Sequence, residues 1–82
     1  MAVDVSLTKQ AERRFKKLPR EMRALAVTVL QRLEAEDRTL DRASMKDGSG
    51  IRVRSGDFRL IYRRTPHGIT VIDMGDRRDV YD

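Results

Sequence analysis

The spacing of hydrophobic residues changes twice along the chain. Val3, Val5 and Leu7 alternate with Asp4 and Ser6, which is the two-residue period of a half-buried strand. Thr8 has a hydroxyl able to cap a helix start. Ala11, Phe15 and Leu18 then follow at intervals of four and three, which places them along one helical stripe. The residues between them are mostly basic and are expected to face water. Pro19 lacks a backbone N–H and would clash with the preceding turn, so it ends the first helix and can open a second at its first turn. Met22, Leu25, Ala26, Val29, Leu30 and Leu33 continue the three-and-four spacing and predict that second helix over about 20–36. Two helices divided only by Pro19 imply a tight αα-hairpin whose apolar stripes need a sheet to cover them.

The stretch 37–50 is polar and bears glycine, and it reads as a connector pinned to the core by Leu40 and Met45. From Ile51 the period becomes two. Ile51 and Val53 alternate with Arg52 and Arg54, and Phe58, Leu60 and Tyr62 alternate with Arg59, Ile61 and Arg63. Ser55-Gly56-Asp57 can close a tight hairpin between these runs, and Pro66-His67-Gly68 makes a second turn. Residues 69–74 form a third strand, which Gly75 and Asp76 interrupt, and Val80 with Tyr81 make a last short extended piece. The expected fold class is α+β, with an N-terminal αα-hairpin packed on a meander of three or four antiparallel strands.

At 82 residues the chain has room for one core, and a domain of this size hides about 60% of its unfolded surface. It contains no cysteine, so nothing depends on an oxidising compartment, and a cytoplasmic location is expected. No apolar run approaches the ~20 residues of a membrane span. The balance of 18 Lys+Arg against 13 Asp+Glu gives a formal charge of +5, which favours a polyanionic partner.

Strand parity gives that charge a direction. If Phe58, Leu60 and Tyr62 pack on the helices, Arg59 and Arg63 point out of the opposite face, where Arg52 and Arg54 can join them. Planar guanidiniums at this density suit phosphate oxygens, although alternating arginines also occur on ordinary solvated sheet faces. The chain carries no HExxH, no P-loop, no glycine-rich dinucleotide signature and no cysteine nucleophile. His67 is the single histidine and reads as a surface turn residue. Asp73, Asp76 and Asp79 lie among Arg77 and Arg78, and local salt bridges are expected there. No cofactor or metal is called for.

The run Gly50-Ile51-Arg52-Val53-Arg54-Ser55-Gly56-Asp57-Phe58-Arg59-Leu60-Ile61-Tyr62 is flanked by Phe15-Lys16-Lys17-Leu18-Pro19 and by Gly75-Asp76-Arg77-Arg78-Asp79-Val80-Tyr81. In this order the three segments resemble the RelE/ParE superfamily of toxins from type II toxin–antitoxin pairs, over nearly the whole chain. The resemblance implies one toxin domain over 1–82, of microbial-RNase type, with two helices on a curved antiparallel sheet. RelE-type members enter the ribosomal A site and cleave mRNA, whereas ParE-type members act on DNA gyrase. Both are silenced by an antitoxin, and the complex commonly represses its own operon. The partners implied are therefore a cognate antitoxin, the ribosome and mRNA, with operator DNA reached only through the antitoxin complex and no membrane.

By that resemblance the catalytic residues are Arg59, Arg77 and Tyr81, and Arg52 and Arg54 bind RNA, with Arg63 joined to them by strand parity. Two departures stand out: Asp57 intervenes between Gly56 and Phe58, and a lysine of the family falls on Gly50. The implied chemistry is metal-free attack of a ribose 2′-OH on its own 3′ phosphate. A gyrase-inhibiting toxin and a non-catalytic nucleic-acid-binding corepressor are the alternatives.

Overall fold

The computed structural model describes residues 3–80. Strand β1 (Asp4–Leu7) leads into α1 (Lys9–Lys17), and α2 (Arg20–Glu34) follows. Thr8 caps α1 as its position suggests, its Oγ1 accepting the Ala11 N–H at 3.1 Å. Arg14, Lys16 and Lys17 occupy the last turn of α1, where the helix dipole favours positive charge. Leu18 and Pro19 are extended, and α2 starts directly after the proline. Ala26, Val29 and Leu33 form the buried stripe of α2. Leu25, grouped with them by spacing, is exposed, because it lies about 100° around the helix from Ala26.

The remaining elements are β2 (Asp41–Ser44), β3 (Ile51–Ser55), β4 (Phe58–Thr65) and β5 (Gly68–Asp76). They form one five-stranded sheet in the order β1-β5-β4-β3-β2. The antiparallel meander expected from the sequence is its centre only. Strand β1 pairs with β5 in parallel, Asp4 opposite Gly68 and Leu7 opposite Val71. The supposed connector supplies β2, antiparallel to β3. Gly75 and Asp76 continue β5 instead of interrupting it, and Arg77–Asp79 form a turn, closed by the Asp79 and Val80 amides on the Asp76 carbonyl; of the extended piece expected at Val80 and Tyr81, Val80 is a bend and Tyr81 lies outside the described residues.

Ala11, Ala26, Val29, Leu33 and Leu40 pack with Val53, Phe58, Leu60, Tyr62, Ile69, Val71 and Met74 in the main core on the helix-bearing face. Full burial of a side chain of this size contributes about 1.5–3 kcal/mol. Helix α1 lies against β5, and α2 reaches β1, β4 and β5. Opposite Ile61 and Tyr62 the register slips: Ile61 pairs with Asp73 but Tyr62 with Val71, so Ile72 has no partner on β4. A second, smaller cluster of Met45, Ile61 and Val80, with Ile72 against it, gathers separately from the main core. Leu40 and Met45 thus anchor the 37–50 stretch to different clusters.

Strand β1 covers only residues 68–71 of β5, and α1 takes over from there. Thr8 donates its N–H to the Val71 carbonyl at 3.0 Å and its hydroxyl to Ile72 O at 3.4 Å, and Arg14 Nε donates to Met74 O at 2.9 Å. Edge carbonyls that would otherwise be open to another strand are occupied. Among the described residues no helix is long and apolar enough to cross a membrane.

Candidate nucleic-acid interface

Parity along β3 and β4 puts Arg52, Arg54, Arg59, Ile61 and Arg63 on the face away from the helices, because Val53, Leu60 and Tyr62 belong to the main core. Arg54 stands directly opposite Arg59, and Arg52 opposite Ile61. Like charges across an antiparallel pair repel, and Arg54, Arg59 and Arg63 each have an acceptor of their own. Arg54 donates through Nε and Nη2 to Asp41 Oδ2 at 3.0 and 2.7 Å. Arg59 turns toward the β3–β4 hairpin and donates through Nη1 to Gly56 O at 2.6 Å and Phe58 O at 3.0 Å. Arg63 Nε donates to Ser49 O at 2.8 Å. Arg52 is half-buried between β2 and β4.

The hairpin turn places the next group. Gly56 and Asp57 are its two central residues, and Gly56 adopts φ +59°, the left-handed region that glycine reaches without strain. Asp57 O accepts the Arg77 N–H at 2.7 Å, and the Asp57 carboxylate lies 3.6 Å from Arg77 Nε. Arg59 and Arg77, 18 residues apart in sequence, are therefore both tied to the Gly56–Asp57–Phe58 turn. The Asp57 that interrupts the expected motif forms the link to Arg77.

Gly50, where the resemblance places a lysine, approaches β4 too closely for a side chain. A Cβ there would lie 2.7 Å from the Tyr62 carbonyl oxygen and 3.2 Å from Ile61 Cγ2. Glycine lets the two backbones approach, and a lysine there would need one of them to shift. Tyr81 lies outside the described residues, but Val80 before it is buried beside Ile61 and Met45.

Of the three late aspartates expected in local salt bridges, Asp76 pairs locally, whereas Asp73 reaches Arg14 on α1. Asp76 pairs with Arg78 at 3.2 Å and is held below its ordinary pKa, chiefly by the Arg78 backbone N–H. Asp47 is likewise lowered, first by the Ser49 hydroxyl and then by its amide, with the Arg63 charge adding a smaller share. Asp73 lies 3.3 Å from Arg14 Nε. The described residues contain no group of three or more His, Asp or Glu able to hold a metal.

Arg14 is the residue that spacing misplaced. It was expected among the solvated basic residues of α1, yet it is half-buried and crosses Gly75, where a Cβ would lie 2.6 Å from its Nη2. From there it reaches Met74 O, Asp73 and, at 3.4 Å, Asp79 O, tying α1 to the turn that carries Arg77. The one sequence signal for this contact is the glycine opposite it.

No protein-family model matches the chain, and no curated protein matches it. Solved structures do. A chain of a RelBE toxin–antitoxin complex from Mycobacterium tuberculosis superposes with a TM-score of 0.77 at 25% identity, over 94% of this chain and 100% of that one. A chain of the RelB–RelE complex from Methanococcus jannaschii gives 0.76 at 17% identity, over 94% and 95%. A chain of the archaeal RelE–RelB complex from Pyrococcus horikoshii gives 0.72 at 21% identity, over 98% and 100%.

Proposed function

We propose that this chain, which has the RelE-like toxin fold, is the toxin of a type II toxin–antitoxin pair and an mRNA endonuclease that acts on the ribosome. The observation that carries the reading is the attachment of Arg59 and Arg77 to one hairpin turn, beside Arg52 and Arg54 on the same sheet. Two guanidiniums brought onto one phosphate would match the charge that builds on its oxygens during transfer. The ribose 2′-oxygen attacks the adjacent phosphorus, the bond to the 5′-oxygen breaks, and the products are a 2′,3′-cyclic phosphate and a 5′-OH. The attacking hydroxyl gives up its proton, and the leaving oxygen gains one.

Arginine and tyrosine are weak bases for the first transfer, with ordinary pKa values above 12 and near 10. Geometry must therefore supply much of the acceleration, and a ribosome that fixes the message in place does so. Arg52 and Arg54 hold the strand, and Tyr81 stacks on a base. A cognate antitoxin and a cytoplasmic location complete the proposal, supported by the toxin–antitoxin complexes that share the fold.

The test is message mapping in a cell-free translation system. Wild type cuts ribosome-bound message, and Arg59→Ala or Arg77→Ala lowers the rate about a hundredfold to a thousandfold while circular dichroism melts stay near wild type. A wild type that cuts nothing and inhibits DNA supercoiling overturns the nuclease reading in favour of the gyrase one.

A further inference from the structure

Arg54, Arg59 and Arg63 on the sheet face are engaged within the molecule. Three arginines gathered elsewhere are not. Arg38 follows α2, Arg42 lies on β2, and Arg64 lies near the end of β4, and all three are exposed. No hydrogen bond or ion pair from their guanidiniums forms among the described residues. They line one groove of about 580 Å³ together with His67, a size usual for ligand sites. The groove opens on the helix-bearing side, since Leu33, Tyr62 and Ile69 of the main core form its base. It is therefore separate from the Arg59–Arg77 turn. Parity explains the placement: Arg64 has the parity of Tyr62, and Arg42, paired with Val53, points to the same side.

We infer that this groove binds an RNA strand, its arginines taking phosphate oxygens. Three guanidiniums bring about fifteen N–H donors with no internal acceptor. The base offers little apolar surface to a peptide, since Leu33, Tyr62 and Ile69 are 4%, 1% and 7% exposed. Asp4 also lines the groove. Its carboxylate would repel an acidic peptide, whereas the ribose 2′-OH of RNA can donate to a carboxylate. A mixed lining of guanidinium and carboxylate therefore fits a chain that alternates phosphate with hydroxyl. The inference is independent of cleavage and gives the protein a second RNA contact, on the side opposite its proposed cutting face.

The test uses the purified full chain and a fluorescein-labelled single-stranded oligouridylate, with affinity followed by anisotropy across a salt series. Each phosphate contact contributes about 0.7 to the slope of log affinity against log salt for a single strand, so Arg38→Ala/Arg42→Ala/Arg64→Ala should flatten it by about 2. The double variant Arg20→Ala/Arg23→Ala, on the exposed surface of α2, should leave the slope unchanged. His67 is the sole histidine, so its ring resonance reports the groove without assignment. It should move on RNA titration in wild type and in Arg59→Ala, and stay still in the triple variant. Circular dichroism melts confirm that each variant folds. An unchanged slope in the triple variant, or RNA binding that leaves the His67 resonance unmoved, overturns the inference. So does a triple variant that keeps RNA affinity and loses binding to a polyglutamate probe.

Discussion

Replacing Arg14 by alanine should destabilise the protein far more than replacing Arg13, although the two are adjacent basic residues on one helix. Arg13 is exposed. Arg14 donates to Met74 O at 2.9 Å, has a second, longer bond to Asp79 O, and lies 3.3 Å from Asp73, with side chains 35% and 23% exposed. A hydrogen bond from a charged donor is worth about 1.5–3 kcal/mol. Partial exposure argues for the lower end, and the ion pair adds about 0.5 kcal/mol on the surface scale. The expected loss is about 2 kcal/mol, a fall in Tm of about 8–16 °C for a chain this small. Urea denaturation of both alanine variants checks it. A second handle is Gly75→Ala, whose methyl would displace the Arg14 guanidinium. The two substitutions remove the same contact, so the double variant should lose less than the sum of the singles. Equal midpoints for Arg13→Ala and Arg14→Ala, or strict additivity of Arg14→Ala with Gly75→Ala, would refute the reasoning.

Gly50→Lys, which restores the base that the resemblance expects, should cost about 1–3 kcal/mol through overpacking against Tyr62 O and Ile61, without tightening RNA binding; a variant as stable as wild type in urea would contradict this. Asp37 is held well below the ordinary carboxylate range, first by the Thr39 hydroxyl and then by Arg32. A depressed folded-state pKa gives stability that is present above about pH 4 and is lost as pH falls through the folded value. The stability gap between wild type and Asp37→Asn should therefore be widest near neutrality and close progressively in acid, and a pH-independent gap in urea midpoints would count against it.

The elements the sequence revealed are those whose own side chains carry the signal. The Thr8 cap, the Ala26–Val29–Leu33 stripe and the turn at Gly56 each follow from a few neighbouring residues. Strand β2 has no such signal. Its four residues, Asp41–Ser44, are all exposed at the sheet edge, so they show no alternation of apolar and polar positions. Nor does the parallel pairing of β1 with β5, because it joins residues 64 positions apart and leaves no local pattern. The slip at Ile72 is also silent, since one unpaired residue leaves the alternation on either side intact.

The parity of the candidate site was legible for the same reason, and the state of each arginine was not, because alternation does not say which acceptor a long side chain reaches, and for Arg54 that acceptor, Asp41, lies on the strand that had no signal. Those acceptors fall into two chemical kinds. Arg59 and Arg63 are held by carbonyl oxygens, which orient a guanidinium and leave its charge intact. Arg54 and Arg77 are held by the carboxylates of Asp41 and Asp57, which cancel it. A phosphate approaching this face meets an oriented, uncompensated cation at Arg59, whose remaining N–H donors can still point outward. At Arg77 it must compete with Asp57, though in a pair with side chains 63% and 67% exposed such competition costs only about 0–1 kcal/mol. If this face takes a phosphate as proposed, Arg59 would receive it first and Arg77 would follow by exchanging Asp57 for it.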